Sequence, residues 1–235
     1  MRNIGEVILD LLFPRRCAIC DRTVLRHETV CPACSEHIKV IEGPVCMRCG
    51  KRLDDEELYC YDCKRKQTAF DRGFSVFEYE FIRESLYRFK YSGRAEYARF
   101  YADTTWKRYK DVLTALNVDA LIPVPIHKKR LNRRGYNQAS EYAACLSGYM
   151  GVPVRDDVVI RCKNTGPLKK LDAGQRQKNL KKAFKLVKND VKFRKVCIVD
   201  DIYTTGATID ALARIFKSIG VERVYFITIA TGKGL

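Results

Sequence analysis

The chain has 235 residues, 46% of them hydrophobic, and carries 44 Lys and Arg against 28 Asp and Glu, for a formal charge of +16 and a pI near 9.4. That length and apolar content support one sizeable core plus a small second domain, and they argue against intrinsic disorder. The charge points to polyanions (nucleic acid, phosphate-rich ligands or an acidic membrane surface) without choosing among them, and no stretch reaches the roughly 18 apolar residues of a membrane helix.

The opening MRNIGEVILDLLFP is broken by Glu6 and Asp10 and lacks a small-residue cleavage site, so a cytoplasmic location is expected, with any membrane association made through a partner. Ile4, Val7, Ile8, Leu11 and Leu12 predict a short amphipathic helix over 4–13, stopped before Pro14. It carries acids where membrane-surface helices usually carry bases, which favours docking on a neighbouring core over a membrane anchor.

Eight of the eleven cysteines follow as four Cys-x2-Cys pairs: Cys17/Cys20, Cys31/Cys34, Cys46/Cys49 and Cys60/Cys63. The last four repeat the first four at an offset of 29, so CAICDRTVLRHETVCPAC and CMRCGKRLDDEELYCYDC are copies of one unit. One such knuckle sets two thiolates on one side of a tight turn, and two complete the tetrahedron that zinc prefers. Disulfides are the weaker alternative, since no secretory signal places the chain in an oxidising compartment. The repeat favours sequential sites, Cys17/Cys20/Cys31/Cys34 and Cys46/Cys49/Cys60/Cys63, with interleaved pairing open. Two filled four-thiolate sites would lower the charge to about +12, still strongly basic. Such sites are structural, because no coordination position is left for water. His27 and His37 are surplus to both ligand sets and are expected on the surface. Residues 1–69 are expected to form this N-terminal domain and 70–235 the next.

From Gly73 onward apolar segments alternate. GFSVFEY predicts a strand, FIRESLYRFKY and EYARFYADTTWKRYKDVL helices, ALIPVP a buried strand, and NQASEYAACLSGYM a helix ending near Gly151. DVVIR, VCIVD and VYFITIA predict further strands, with the helix IDALARIFKSI between the last two. Strands separated by helices imply an α/β fold with a parallel sheet, whose ligands sit at the carboxyl ends of the strands. The loops to search are therefore those after ALIPVP and after VCIV. The first runs into HKKRLNRRGYNQ, which packs Lys128, Lys129, Arg130, Arg133 and Arg134 into eight residues.

The second loop follows VCIVDDIYTTGATI. Asp200 and Asp201 stand at the end of a buried strand, and Thr204, Thr205, Gly206, Ala207 and Thr208 lead into a helix. Small residues let backbone N–H groups converge on an anion, threonine hydroxyls add donors, and the helix dipole favours negative charge. The carboxylates would repel a phosphate, so they suit the vicinal hydroxyls of a ribose. A ribose 5-phosphate group satisfies both halves; an ordinary turn and helix cap is the plainer alternative.

VCIVDDIYTTGAT closely resembles the phosphoribosyl diphosphate (PRPP) motif of type I phosphoribosyltransferases. That resemblance implies Asp200 and Asp201 on the ribose hydroxyls, Thr204 to Thr208 on the 5-phosphate, and Mg2+ accompanying the diphosphate. The full order of motifs resembles the ComF family of competence-associated proteins: Cys-x2-Cys ribbons, FKYSG, IPVP with a basic run, RRGYNQ, the spaced residues of TGPLKKLDAGQRQKN, AF, then the PRPP motif. It implies a double zinc ribbon before a type I phosphoribosyltransferase-like sheet flanked by helices. It also implies a role in DNA uptake during natural transformation, handling single-stranded DNA beside a helicase-like partner. One departure is Leu168, where the family often has Gln.

Between Arg161 and Lys195 thirteen Lys and Arg stand against two acids, Asp172 and Asp190. Part of this segment is expected to close over a diphosphate, with Lys169, Lys170 and Arg176 as candidates, or to track a DNA backbone. The pairs Tyr87/Tyr91 and Tyr97/Tyr101 each line one helix face; packing is favoured over base stacking for both. Cys145, Cys162 and Cys197 have no knuckle partner and are expected to be buried. No residue stands out as a general base, which suits either a ligand-binding protein or a transferase that works by positioning. The alternative function is a nucleotide salvage or synthesis enzyme transferring phosphoribose to a free base.

Overall fold

The computed structural model describes residues 14–54, 57–162, 183–188 and 192–232; the helix expected over 4–13 and residues 163–182 of the basic segment lie outside them. In chain order the elements are α1 (Pro32–Ser35), α2 (Tyr61–Arg65), β1 (Arg72–Glu78), α3 (Tyr79–Tyr91), α4 (Tyr97–Leu116), β2 (Ala120–Pro123), α5 (Lys128–Arg134), α6 (Gln138–Met150), β3 (Val159–Arg161), β4 (Phe184–Leu186), β5 (Lys195–Tyr203), α7 (Ala207–Ser218) and β6 (Arg223–Thr231).

Four strands make one sheet in the order β1-β6-β5-β2, with every neighbouring pair parallel. Val196 to Val199 are all buried, as a strand covered on both faces requires. On one face α7 packs Ile209, Leu212, Ala213 and Phe216 against Ile122, Val196, Ile198 and Phe226. On the other, Leu86 and Phe89 of α3, Tyr97 and Tyr101 of α4, and Tyr142 and Leu146 of α6 pack with Leu121, Cys197, Val199 and Ile227. The alternating inward and outward side chains of each strand thus feed two separate cores.

The two ribbons attach to opposite faces of this sheet. Ala18, with Ile19, Val30 and Ile38 beside it, joins the core of α3 and α4. Asp21, held at φ 63°, accepts a bidentate pair from Arg94 (2.8 and 3.1 Å) and a bond from the Tyr97 hydroxyl. The second ribbon sends Cys46, Cys49, Leu53 and Cys63 into the core under α7. Its backbone joins the edge of β1, where Gly73 N–H donates to the Arg48 carbonyl (2.8 Å) and Gly50 lies so close that a Cβ there would meet the Gly73 carbonyl oxygen at 2.8 Å.

Two expectations are corrected by the topology. DVVIR does not enter the parallel sheet: β3 pairs antiparallel with β4, a strand not foreseen, in a separate two-stranded unit. After α6 the chain does return in parallel beside β2, but only through the single bridge between Val154 and Leu121; it then turns away, and Ile160 is 46% exposed, so β3 has only one covered face. The basic run after β2 is not a loop but the helix α5, whose Lys129 N–H is capped by His127 Nδ1 (3.2 Å) and whose end is set by Gly135 at φ 82°. Among the lone cysteines Cys197 is buried and Cys145 half-buried, whereas Cys162 is exposed, because it follows the one-faced strand β3. No helix among the described residues is long and apolar enough to cross a membrane.

Candidate functional site

The cysteines settle into two sequential tetrads, Cys17/Cys20/Cys31/Cys34 and Cys46/Cys49/Cys60/Cys63, with all four sulfurs of each within 4.8 Å of one another. Neighbouring knuckles approach at 3.7 Å between Cys20 and Cys31 and 3.6 Å between Cys49 and Cys60. A tetrahedral zinc with bonds near ~2.3 Å holds its sulfurs about 3.8 Å apart, so the spacing fits. The chemistry fits as well. Within the second tetrad Cys49 lowers the Cys46 thiol while Cys46 raises those of Cys49 and Cys63, the mutual coupling of closely packed thiols that a dication would relieve by favouring the thiolates. His27 and His37 are exposed, as expected.

β5 runs three residues beyond the strand VCIVD expected from the sequence. It pairs Asp200 with Thr228, Ile202 with Ala230 and Tyr203 with Thr231, so the two acids lie inside the strand rather than at its last residue. Thr204, Thr205 and Gly206 make the turn, and Ala207 and Thr208 are already the first residues of α7. The first N–H groups of that 12-residue helix have no intrahelical acceptors, and they face the same turn as the exposed Thr204 and Thr205.

The turn is braced from below. Tyr203 stacks on Phe226 (4.9 Å between centroids) and meets Phe70 edge-on. Gly206 sits over it at φ 75°, where a Cβ would come within 2.5 Å of the Tyr203 hydroxyl. Lys51 of the second ribbon is buried, pairs with Asp62 at 2.9 Å and places its ammonium 5.9 Å from the Tyr203 ring centroid. The Ala69 N–H donates to Asp210 in the first turn of α7 (2.7 Å), tying the ribbon's exit to the helix. Gly206→Ala should therefore cost about 2 kcal/mol or more in urea unfolding, from positive φ and overlap together. Gly220→Ala, at φ 90° with nothing within 4 Å, should cost only about 1 kcal/mol from backbone strain. Equal losses would show that the Tyr203 contact does not matter.

The two acids differ in their surroundings. Burial pushes the Asp200 carboxyl up to about 7; the neighbouring Asp201 adds to the rise, and Lys90 and Arg161 offset it. Asp200 also accepts from the Asp201 N–H at 2.9 Å. Asp201 pairs with Lys90 at 2.9 Å, both side chains being largely covered. Neither Lys90 nor Arg161 was singled out from the sequence, although Lys90 is the second residue of FKYSG. A lysine in the last turn of a helix whose neighbours Phe89 and Leu86 are buried was the available signal.

Because Val124 N–H bonds the Val199 carbonyl (2.8 Å), the chain leaving β2 carries α5 over the carboxyl end of β5. Burial disfavours the charge of Arg161, the nearby half-buried Arg130 adds to this, and Asp200 opposes it. Arg134 packs 4.8 Å over the Tyr91 ring and donates to Gln138 Oε1 at 2.7 Å. Lys128, Lys129 and Arg133 are exposed. Lys169, Lys170 and Arg176 fall outside the described residues.

Comparison with known proteins agrees with this layout. The double zinc ribbon domain family matches residues 8–64 and the phosphoribosyl transferase domain family residues 131–234. Competence protein F of Haemophilus influenzae is 31% identical over 219 residues, covering 90% of this chain and 95% of its own. Competence protein ComFC of Bacillus subtilis is 30% identical over 194 residues, 80% of this chain and 77% of its own. DNA utilization protein YhgH of Escherichia coli is 28% identical over 219 residues, 91% and 96% of the two chains. With two zinc ribbons, a phosphoribosyltransferase-like parallel sheet and this likeness along nearly the whole length, the chain belongs to the ComF family of competence proteins.

Proposed function

We propose that the protein binds PRPP at the carboxyl end of β5 and holds single-stranded DNA during DNA uptake. The observation that carries this reading is geometric: half-buried Asp200 and its neighbour Asp201 stand side by side near the end of β5, ahead of a turn that opens onto the N-terminus of α7, and burial raises the Asp200 carboxyl to about 7. A buried acid with a displaced pKa is costly to keep and marks a binding site. In this reading Asp200 and Asp201 accept from the ribose hydroxyls, and Thr204, Thr205, Gly206, Ala207 and Thr208 surround the 5-phosphate with hydroxyl and backbone donors. Mg2+ enters with the diphosphate, an ion that binds substrate phosphates together with one or two carboxylates, and the acids at this strand end are hard oxygen donors of that kind. When the ribose takes over Asp201, Lys90 is released toward the diphosphate. The exposed cations of α5 and the basic segment with Lys169, Lys170 and Arg176 serve the diphosphate or a DNA backbone. The names of the relatives, competence and DNA utilization proteins, support a role in handling DNA; the helicase-like partner rests on the family resemblance alone.

The test is a calorimetric titration of zinc-loaded protein with PRPP and Mg2+, with and without single-stranded DNA, following pyrophosphate in parallel. Asp200→Ala combined with Asp201→Ala should abolish PRPP binding while circular dichroism stays unchanged; binding at the parent level would refute the assignment. The match to the phosphoribosyl transferase domain family supports a second reading, transfer to a free base. Pyrophosphate released on adding one nucleobase, independently of DNA, would select it.

A further inference from the structure

Tyr87/Tyr91 and Tyr97/Tyr101 share one spacing, yet the structure separates them completely. Tyr97 and Tyr101 are fully buried, whereas Tyr87 and Tyr91 are 58% and 51% exposed with their rings 5.1 Å apart. The inner face of α3 is already supplied by Ile82, Leu86 and Phe89, so the packing expected for Tyr87 and Tyr91 is not found. Their rings border a cleft of about 380 Å³ between α3 and the end of β5, which Lys90, Arg83, Glu84 and Ile202 also line.

Two contacts give this cleft its context. At its inner end Lys90 reaches Asp201 (2.9 Å), next in sequence to Ile202 of the cleft wall. At its outer end Arg134, the last residue of α5, lies over the Tyr91 ring and donates to its hydroxyl at 3.2 Å, so the aromatic pair adjoins the C-terminal end of α5, which also carries exposed Arg133 and, toward its start, exposed Lys128 and Lys129. Aromatic faces, cations alongside them and a carboxylate that can accept from amino groups are what a base-bearing strand requires. A phosphate alone could accept from the tyrosine hydroxyls but would leave their ring faces unused, and Glu84 would repel it.

We propose that Tyr87 and Tyr91 form a stacking platform for the unpaired bases of a single strand, which runs from the basic face of α5 into the cleft beside Asp201. This rests on the reading above and adds where the strand lies: its bases and the phosphoribose occupy adjoining sites. The cations contact the phosphates, and the rings contact the bases without selecting a sequence.

The test uses fluorescence anisotropy with full-length, zinc-loaded protein and two short labelled probes, a base-bearing single strand and the same deoxyribose phosphate chain without bases. Tyr87→Leu with Tyr91→Leu should weaken binding of the base-bearing strand by about tenfold or more, and the Phe pair should stay within about twofold of the parent. The base-free chain should bind parent and Leu variant alike, and PRPP calorimetry should be unchanged in both variants. A Leu variant that holds the base-bearing strand as well as the parent does, or a parent that holds both probes equally, overturns the platform and leaves PRPP binding standing. A parent that binds no single strand overturns the DNA half of the proposed function and the platform with it.

Discussion

Replacing Asp200 with asparagine is expected to make the protein more stable at pH 8 and to weaken PRPP binding about a hundredfold, the loss of hydrogen bonds to a charged acceptor. Burial has moved this carboxyl from 3.8 to about 7, so the folded state holds its proton more tightly than the unfolded chain does. The side chain's stabilising contribution is therefore fully present below about pH 4 and is lost as pH rises through about 7. Asparagine imitates the protonated form and keeps an oxygen for the Asp201 N–H. Its advantage should be near zero at pH 4, grow through pH 6 and level off by pH 8. About 3 pK units at ~1.4 kcal/mol each set a ceiling near 4 kcal/mol. The residue keeps some solvent contact, so a gain of about 1–2 kcal/mol is expected. Urea midpoints for parent and variant at the three pH values give the answer; a difference that is flat with pH, or negative at pH 8, would contradict the account. The trade of stability for binding is what a functional buried acid should show.

The second expected result concerns zinc. Cys49→Ser, in the ribbon that shares its core with α7, should lower stability by several kcal/mol and remove PRPP binding, because a structural zinc contributes folding energy directly. The route is short: the second tetrad holds the loop that carries Lys51, Lys51 lies against Tyr203, and Tyr203 supports Gly206 of the turn. Cys20→Ser disrupts the other tetrad, whose ribbon packs on α3 and α4 through Ala18 and Asp21 on the opposite face. That variant should also lose one zinc, yet retain PRPP binding near the parent value. Zinc content, urea unfolding and calorimetry on the three proteins separate the cases. If both variants lose PRPP binding equally, the link from ribbon to turn is not specific to the second site.

What the chain declares locally and what it does not can be followed residue by residue. The zinc ligands were legible because each knuckle needs only two cysteines three positions apart, and the repeat offset pairs one knuckle with the next. The strand, acids, turn and helix from Val196 to Ser218 were legible because an apolar run, small turn residues and a helical stripe are encoded within one contiguous stretch. The packing of the tyrosines was not, since identical four-residue spacing in Tyr87/Tyr91 and Tyr97/Tyr101 leads to opposite burial depending on what lies across from each helix. Nor was the fate of DVVIR, whose composition suits a strand in either sheet and whose place depends on the connection before it and on the unexpected partner Phe184–Leu186.

The amino-acid sequence by itself determined the two metal-binding ribbons, the α/β class and the motif at the end of β5, since short-range covalent spacing is enough to specify each. Only the tertiary structure decided that Lys90 neutralises Asp201, that Lys51 and Tyr203 brace the turn, that α5 stands over the site and that two tyrosines remain in the open. Those contacts join residues far apart in the chain, and a long-range contact is set by how whole elements pack against one another rather than by the residues next to it in sequence.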